Sequence, residues 1–362
     1  MTAQQVAADP ANAEVYAADD LRTYASRVFH RLGMRTADAD VLAEHLVWAD
    51  LHGVPSLGLR KMPQYVPRLR AGGTPPGAQT SVVHQQGVIT HLDGNDGWGQ
   101  VVGAHGMRLA VDNARAFGVG LTLVRNTTSA GAIGRLASFA VDEDMIGLVI
   151  NNGPPIQAVW GSAEKTIGNQ AFAIASPAGK HPPLVLDMAT SSITLARLHE
   201  YVASGESIQP GLALDADGEP TVDPVAALKG LLLPFGGHRG SGLAMMWEVL
   251  TGVLAVGERF LSDVTMPDVS DRPQAVSLFM LAINPSMLMP SHEFRERVDR
   301  VIDHVHGAEK APGFDAVQVP GERSHATAEQ RQRDGITLPP KLIGELHRLG
   351  DELGVAWPTG RR

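Results

Sequence analysis

The chain has 362 residues, 44% apolar and 19% charged, with 30 Lys and Arg against 39 Asp and Glu for a net charge of −9. That length supports two or three packed layers or sub-domains, and an acidic balance without a basic block argues against nucleic acid or an anionic membrane as partner. The absence of cysteine removes disulfides, thiolate catalysis and Cys-ligated zinc together.

Residues 1–20 are polar and alanine-rich, which predicts a loosely attached N-terminus with no signal peptide. No run of eighteen apolar residues occurs, so a soluble, cytoplasmic protein is expected. Apolar residues at helical spacing predict a helix over 21–32, ended by Gly33, and a second over 36–50 with Thr36 as N-cap. A Gly/Pro loop at 51–59 precedes a helical stretch at 61–69 and a Gly/Pro-rich linker at 71–78. Residues 81–92 alternate weakly as one strand, 93–97 read as a turn, 99–117 as an amphipathic helix and 118–124 as a strand. A helix over 131–144 leads into a strand over 145–150, and short strands follow at 172–176 and 184–186. Further on, a strand is expected at 275–283, a helix at 291–305 with Ser291 as N-cap, and a closing helix at 335–353. The strand–loop–helix–strand order is an α/β signature.

One stretch organises the rest. Gly236-Gly237-His238-Arg239-Gly240-Ser241-Gly242 places four glycines in seven residues, ahead of an almost wholly apolar run whose only charge is Glu248. The run predicts a helix buried on most sides. A glycine loop at a helix N-terminus offers N–H groups and the positive end of the dipole to an anion such as phosphate. Arg239 can add a charged fork and His238 a ring donor. The same glycines also fit a tight turn where a helix packs against other backbone. Neither GxGxxG after a strand nor GxxxxGK[ST] is present, so neither a Rossmann nor a P-loop reading is licensed.

No HExxH, EF-hand or i, i+4 histidine pair occurs, and no metal centre is expected. Asp187, at the end of an apolar strand and ahead of Thr190, Ser191 and Ser192, is the best-placed carboxylate. A desolvated Asp there carries a raised pKa and transfers protons, while the same position also suits a helix cap or a turn.

Separated blocks in one order then resemble the type-2 malate/L-lactate dehydrogenase family. They are Ala49-Asp50-Leu51-His52-Gly53-Val54 with Pro63 and Tyr65, the Asp93-Gly94 to Gln100 stretch, Gly118-Val119-Gly120 to Asn126, and Met145-Ile146-Gly147. Trp160-Gly161, Leu186 to Ser191, Leu214-Asp215 to Asp223-Pro224, the Gly236 to Leu243 loop and Pro320-Gly321-Glu322-Arg323 continue the series. That family also holds ureidoglycolate dehydrogenases, diketogulonate reductases and Δ1-piperideine-2-carboxylate reductases. The resemblance implies an α/β fold with a non-Rossmann NAD(P)-binding sheet, a helical N-terminal sub-domain and a homodimer. It divides the chain into a substrate-side sub-domain at 21–120, a cofactor sub-domain at 121–310 and a segment at 311–362 that returns to the first.

The resemblance places cofactor contacts on Asp187, Met188, Ala189, Thr190, Ser191, Ser192 and Ile193, on His238 and Arg239, and on Pro320, Gly321 and Glu322. The cofactor is NADPH or NADH, with NADPH favoured. Departures from the family pattern fall on the substrate side. Pro55-Ser56-Leu57-Gly58 stands where relatives read Asp-Ser-His-Gly, and Asn126-Thr127-Thr128-Ser129-Ala130-Gly131 where they read Asn-Ser-Asn-His-Phe-Gly. Relatives' Gly-Thr-Asn-Pro is Gly168-Asn169-Gln170-Ala171 here. Both usual proton-transferring histidines are thus replaced, by Leu57 and Ser129, and Lys61 stands where an arginine holds the substrate carboxylate. Ser56, Ser129, Lys61 and Asp187 are the candidate catalytic set.

Ketone reduction leaves an alkoxide and needs an acid, whereas iminium reduction leaves a neutral amine and needs none at that step. The expectation is therefore C=N reduction of a small carboxylated, anionic substrate. The alternatives are 2-oxo/2-hydroxy acid chemistry with Asp187 or a displaced His52 as substitute donor, and a catalytically silent cofactor-binding homologue.

Overall fold

A computed structural model describes residues 14–257 and 259–360. The first thirteen residues of the stretch expected to be loosely attached lie outside that range. The remainder is held. β1 (Glu14–Tyr16) pairs antiparallel with β11 (Ile336–Leu338), and α1 (Ala18–Arg31) begins two residues later.

α1 buries Leu21, Tyr24, Ala25, Val28 and Phe29, an i, i+3/i+4 stripe, against Leu42, Ala43, Leu46 and Val47 of α2 (Thr36–Leu51). Leu342 and Leu346 of α11 (Pro340–Leu353) close the same core, joined by Val66 and Leu69 of α3 (Met62–Ala71). The chain's two ends therefore share one helical layer. The closing helix is shorter than expected because Pro339-Pro340 cannot continue a helix backwards, which leaves Ile336–Leu338 free to pair with β1. The first turn of α2 also departs from expectation, since Arg35, not Thr36, occupies the N-cap.

The second layer is a seven-stranded sheet. Its strands are β2 (Ser81–Gln86), β3 (Ile89–Gly97), β4 (Val119–Thr127), β5 (Ile146–Asn151), β6 (Phe172–Ser176), β7 (Leu184–Met188) and β10 (Val276–Ile283), in the order β2-β3-β4-β10-β5-β6-β7. The expected single strand at 81–92 is a hairpin, and the expected turn at 93–97 is the continuation of β3. α4 (Gly99–Phe117) crosses between β3 and β4, which form the parallel pair; the other neighbours are antiparallel. β10 lies between β4 and β5, with Phe279 opposite both Leu123 and Ile150. Its apolar run suits that central place, buried from both sides. This is a mixed α/β fold, not a doubly wound parallel sheet. The division expected at residue 120 cuts through the sheet, because β2, β3 and α4 pack with β4.

α5 (Ile133–Val141) covers the sheet beside α4. α6 (Leu195–Ser204) and α7 (Pro224–Lys229), with β8 (Ala213–Leu214) and β9 (Leu231–Leu232), enclose a smaller core around Leu198 and Ile208. α9 (Ser291–His306) follows β10 and has Pro290, not Ser291, as N-cap; α10 (Glu322–Asp334) leads back to β11.

α8 (His238–Glu248) inverts its expected burial. Met245 and Met246 are 55% and 57% exposed, whereas Glu248, its single carboxylate, is 5% exposed. The buried carboxylate is satisfied by the side chains of Gln170 and Asn152 and by the Leu261 N–H at 3.1 Å. The apolar side of the helix faces outward and continues through Val249 and Val253 in the following π-turn.

Candidate active site

The substrate-side residues sit on two short 3-10 turns, Pro55–Leu57 and Leu59–Lys61, between α2 and α3. Asp50, buried in the last turn of α2, accepts the Leu59 N–H on its Oδ2 at 2.8 Å. Gly58 is required there, since a Cβ at that residue would stand 2.3 Å from the Asp50 carboxyl carbon. Burial pushes Asp50 up to about 7, with the Leu59 N–H, Arg331 and Arg60 opposing. Lys61 has its Nζ 3.2 Å from Gln64 Oε1, and no carboxylate lies within ion-pair distance among the described residues. Burial lowers its pKa, so this ammonium lacks a counter-charge that an anionic ligand can supply.

The loop after β4 carries Ser129, which is exposed; its N–H donates to Gln274 Oε1 at 3.1 Å. Five residues on, the Gly134 N–H in the first turn of α5 donates to Asp187 Oδ2 at 2.7 Å. Asp187 lies within β7 and caps no helix or turn of its own segment, the next helix being capped by Thr194; its carboxylate instead reaches across to an N–H in the first turn of α5. Its side chain touches solvent, yet the protein packed around the carboxylate withdraws enough water to push its pKa up to about 6, with the Gly134 N–H opposing. A carboxyl group titrating there can exchange protons near neutral pH.

Three side chains between these segments escaped sequence reading as site residues. Gln100, on α4, donates from Nε2 to Tyr65 Oη at 2.9 Å, and a Cβ at Gly131 would lie 3.0 Å from that nitrogen and 3.4 Å from His45 Nε2. Gln100 and Tyr65 thereby tie α3 to α4, and Gly131 of the loop that carries Ser129 packs against Gln100. Burial pushes Tyr65 up to about 12 and pushes the His45 imidazole down to about 3, with Arg135 adding to the latter. His52 stacks on Trp48 at 3.8 Å between ring centroids, and burial brings it down to about 4. Both histidines near the site are neutral at physiological pH. No hydrogen bond or ion pair joins Ser56 or Lys61 to Ser129 or Asp187 among the described residues.

The expected cofactor segments do meet. The Phe235 N–H donates to Thr190 O at 2.9 Å and the Ser192 N–H to Leu233 O at 2.8 Å, which seats the glycine loop against 187–193. Val185 N donates to Pro320 O at 3.1 Å, which brings the Pro320–Glu322 turn against β7. The loop does not present a row of free N–H groups. Those of Arg239, Gly240 and Ser241 go to the carbonyls of Gly236, Phe235 and Gly237. Gly240 is there for close packing, since a Cβ would lie 2.5 Å from Phe235 O and 2.8 Å from Thr190 O. The tight-turn reading of these glycines therefore holds for most of the loop. Glu322 is also engaged, its Oε2 accepting the Val319 N–H and lying 3.1 Å from His306 Nε2.

What remains available fits a phosphorylated cofactor. Arg239 is exposed with no carboxylate within ion-pair distance among the described residues, and the buried Ser191 Oγ has no hydrogen-bond partner.

Comparison with known proteins matches residues 16–347 to the family described as Malate/L-lactate dehydrogenase. The malate dehydrogenase of Pyrococcus abyssi is 33% identical over 345 residues, covering 93% of this chain and 94% of the relative. A Δ1-pyrroline-2-carboxylate/Δ1-piperideine-2-carboxylate reductase of Pseudomonas putida is 30% identical over 335 residues, covering 91% and 95%. The sulfolactate dehydrogenase structure from Methanocaldococcus jannaschii superposes with a TM-score of 0.88 at 33% identity, covering 94% of this chain and 98% of that one.

Proposed function

The chain belongs to the malate/L-lactate dehydrogenase family and is an NAD(P)-dependent oxidoreductase; from that premise we propose that it reduces the C=N bond of a small carboxylated imine. The reading is carried by one observation: among the described residues, neither the turns at 55–61 nor the loop at 126–131 carries a histidine. Leu57 and Ser129 occupy the two expected histidine positions, and His45 and His52 are held neutral. Hydride arriving at an iminium carbon pushes the π electrons onto nitrogen, which already carries its proton, and a neutral amine leaves.

In this reading the Lys61 ammonium holds the substrate carboxylate. Ser56 and Ser129 offer hydroxyls to the substrate. Asp187, anchored by Gly134, faces the reacting centre and favours the cationic iminium over the neutral imine. The cofactor, when bound, supplies the hydride. The residues that hold it are Asp187 to Ile193, His238, Arg239 and the Pro320–Glu322 turn, and the unpaired Arg239 guanidinium favours NADPH over NADH. The outward apolar face of α8 next to that loop supports a homodimer in which a second copy covers Met245, Met246, Val249 and Val253.

A second reading is 2-oxo acid reduction with Asp187 as acid, favoured by its raised pKa. The pH dependence of kcat with a preformed cyclic imine separates the two. Iminium reduction predicts a fall as pH rises through the substrate's own iminium pKa, unchanged in a Leu57→His, Ser129→His double variant. A limb that disappears in Asp187→Asn, with cofactor affinity retained, assigns the proton to the enzyme instead.

A further inference from the structure

We infer that Asp50 is a positioning residue for Lys61: its carboxylate fixes the Gly58–Leu59 peptide, and the Gly58 carbonyl in turn fixes the backbone from which Lys61 projects. The inference rests on the reading of Lys61 as the substrate's anion site. Four contacts carry it.

Asp50 Oδ2 accepts the Leu59 N–H at 2.8 Å, and Gly58 O accepts the Lys61 N–H at 2.9 Å, so two hydrogen bonds link the carboxylate to the lysine backbone. The carboxyl group lies flat against Gly58, with all three of its heavy atoms within 2.4 Å of where a Cβ would stand. That close approach leaves no room for a side chain at residue 58. The Asp50 carbonyl accepts from Arg331 of α10, so the end of α2 that presents the carboxylate is itself pinned from the far side. Asp50 is 2% exposed. It acts through Lys61 and not on substrate.

The arrangement also explains why a carboxylate is kept in a costly place. An acid of this kind buried without a strong counter-charge destabilises the fold. Arg331 and Arg60 are the charged groups that face it, and neither forms an ion pair with its oxygens. Its remaining work is to hold a turn that carries an unpaired ammonium.

The test needs no substrate. Trace acetylation with acetic anhydride across pH, read by mass spectrometry, reports Lys61 reactivity against the exposed Lys165 and Lys341 as internal references. In the wild-type chain Lys61 reacts at lower pH than the references, because burial favours its neutral amine. Asp50→Ala is expected to lose that difference, so that Lys61 follows the reference profile. Asp50→Asn, which keeps an acceptor oxygen for Leu59, is expected to retain it. NADPH affinity, measured in parallel, is expected to stay unchanged in both.

Gly58→Ala reaches the same contact from the other side and serves if Asp50→Ala does not fold; it too is expected to lose the Lys61 signature. A Lys61 profile identical in folded wild type, Asp50→Ala and Gly58→Ala would overturn the inference. So would equal loss in the Asn and Ala variants together with weakened NADPH binding, which would make Asp50 a general structural residue. Lys61→Met checks the underlying reading separately: an unchanged KM for anionic substrates there sinks the anion role of Lys61, whatever the labelling shows.

Discussion

The carboxylate of Asp187 accepts the backbone N–H of Gly134 at 2.7 Å, which joins the C-terminal end of β7 to the first turn of α5. One hydrogen bond thus sets this titratable group against the first turn of the helix that follows the Ser129 loop. Removing the charge by Asp187→Asn keeps an acceptor for Gly134 and a similar shape. The fold is therefore expected to survive, and kcat, not stability, is expected to report the change.

Buried carboxylates make stability depend on pH in a stated direction. Asp50 has a folded pKa of about 7 against 3.8 for the free group. Its neutral form is favoured in the fold, so its contribution is fully present below the unfolded value and is lost as pH rises from about 4 through about 7. Urea unfolding of wild type and Asp50→Asn at several pH values is expected to show the variant gaining relative stability over that window. Parallel curves would mean that the group is not desolvated in solution.

Arg239 has no carboxylate partner within the described residues, and the proposed function gives it to the cofactor. Arg239→Ala is expected to weaken NADPH binding by roughly 1.5–3 kcal/mol, the range for a lost charge-assisted hydrogen bond. Calorimetry reads this directly. Equal loss for NADH and NADPH would place the guanidinium on the shared part of the cofactor.

Gly240 packs against Phe235 O and Thr190 O. Gly240→Ala is expected to cost about 1–3 kcal/mol of stability through overpacking and to weaken cofactor binding at the same time, because it separates the glycine loop from 187–193. A variant with wild-type unfolding and wild-type affinity would show that the two segments are not held as one unit.

The sequence's helical and strand periodicity reached the elements that have an apolar face. The helix at 99–117 was legible to the residue, since its buried stripe ends at Gly118, a left-handed cap with φ 84°. α10 was not, because ERSHATAEQRQRD buries none of its residues and shows no apolar period to read. α8 misled in the opposite direction: an apolar run does not say which side faces the protein, and Glu248 turned out to point in. Asp187 was visible from its place at a strand end, whereas His45 and Gln100 look like any polar residue on a helix until Gly131 is found against them. That Leu57 and Ser129 are departures could be read only from the family resemblance, since nothing in their own surroundings marks them.

The exposed Met245, Met246, Val249 and Val253 predict that Met246→Glu with Val249→Glu shifts a wild-type dimer to monomer by light scattering. A wild-type chain already at monomer mass would remove the homodimer from the account.

The most direct test of the central claim is cofactor oxidation by the wild-type enzyme with cyclic imines and 2-oxo acids side by side. With NADPH and saturating Δ1-piperideine-2-carboxylate or Δ1-pyrroline-2-carboxylate, kcat/KM is expected to exceed that for any 2-oxo acid by at least ~10²-fold, the lower end of what a missing general acid forfeits in ketone reduction. Efficient reduction of a pyruvate-like ketone by an enzyme that leaves every imine untouched would contradict it.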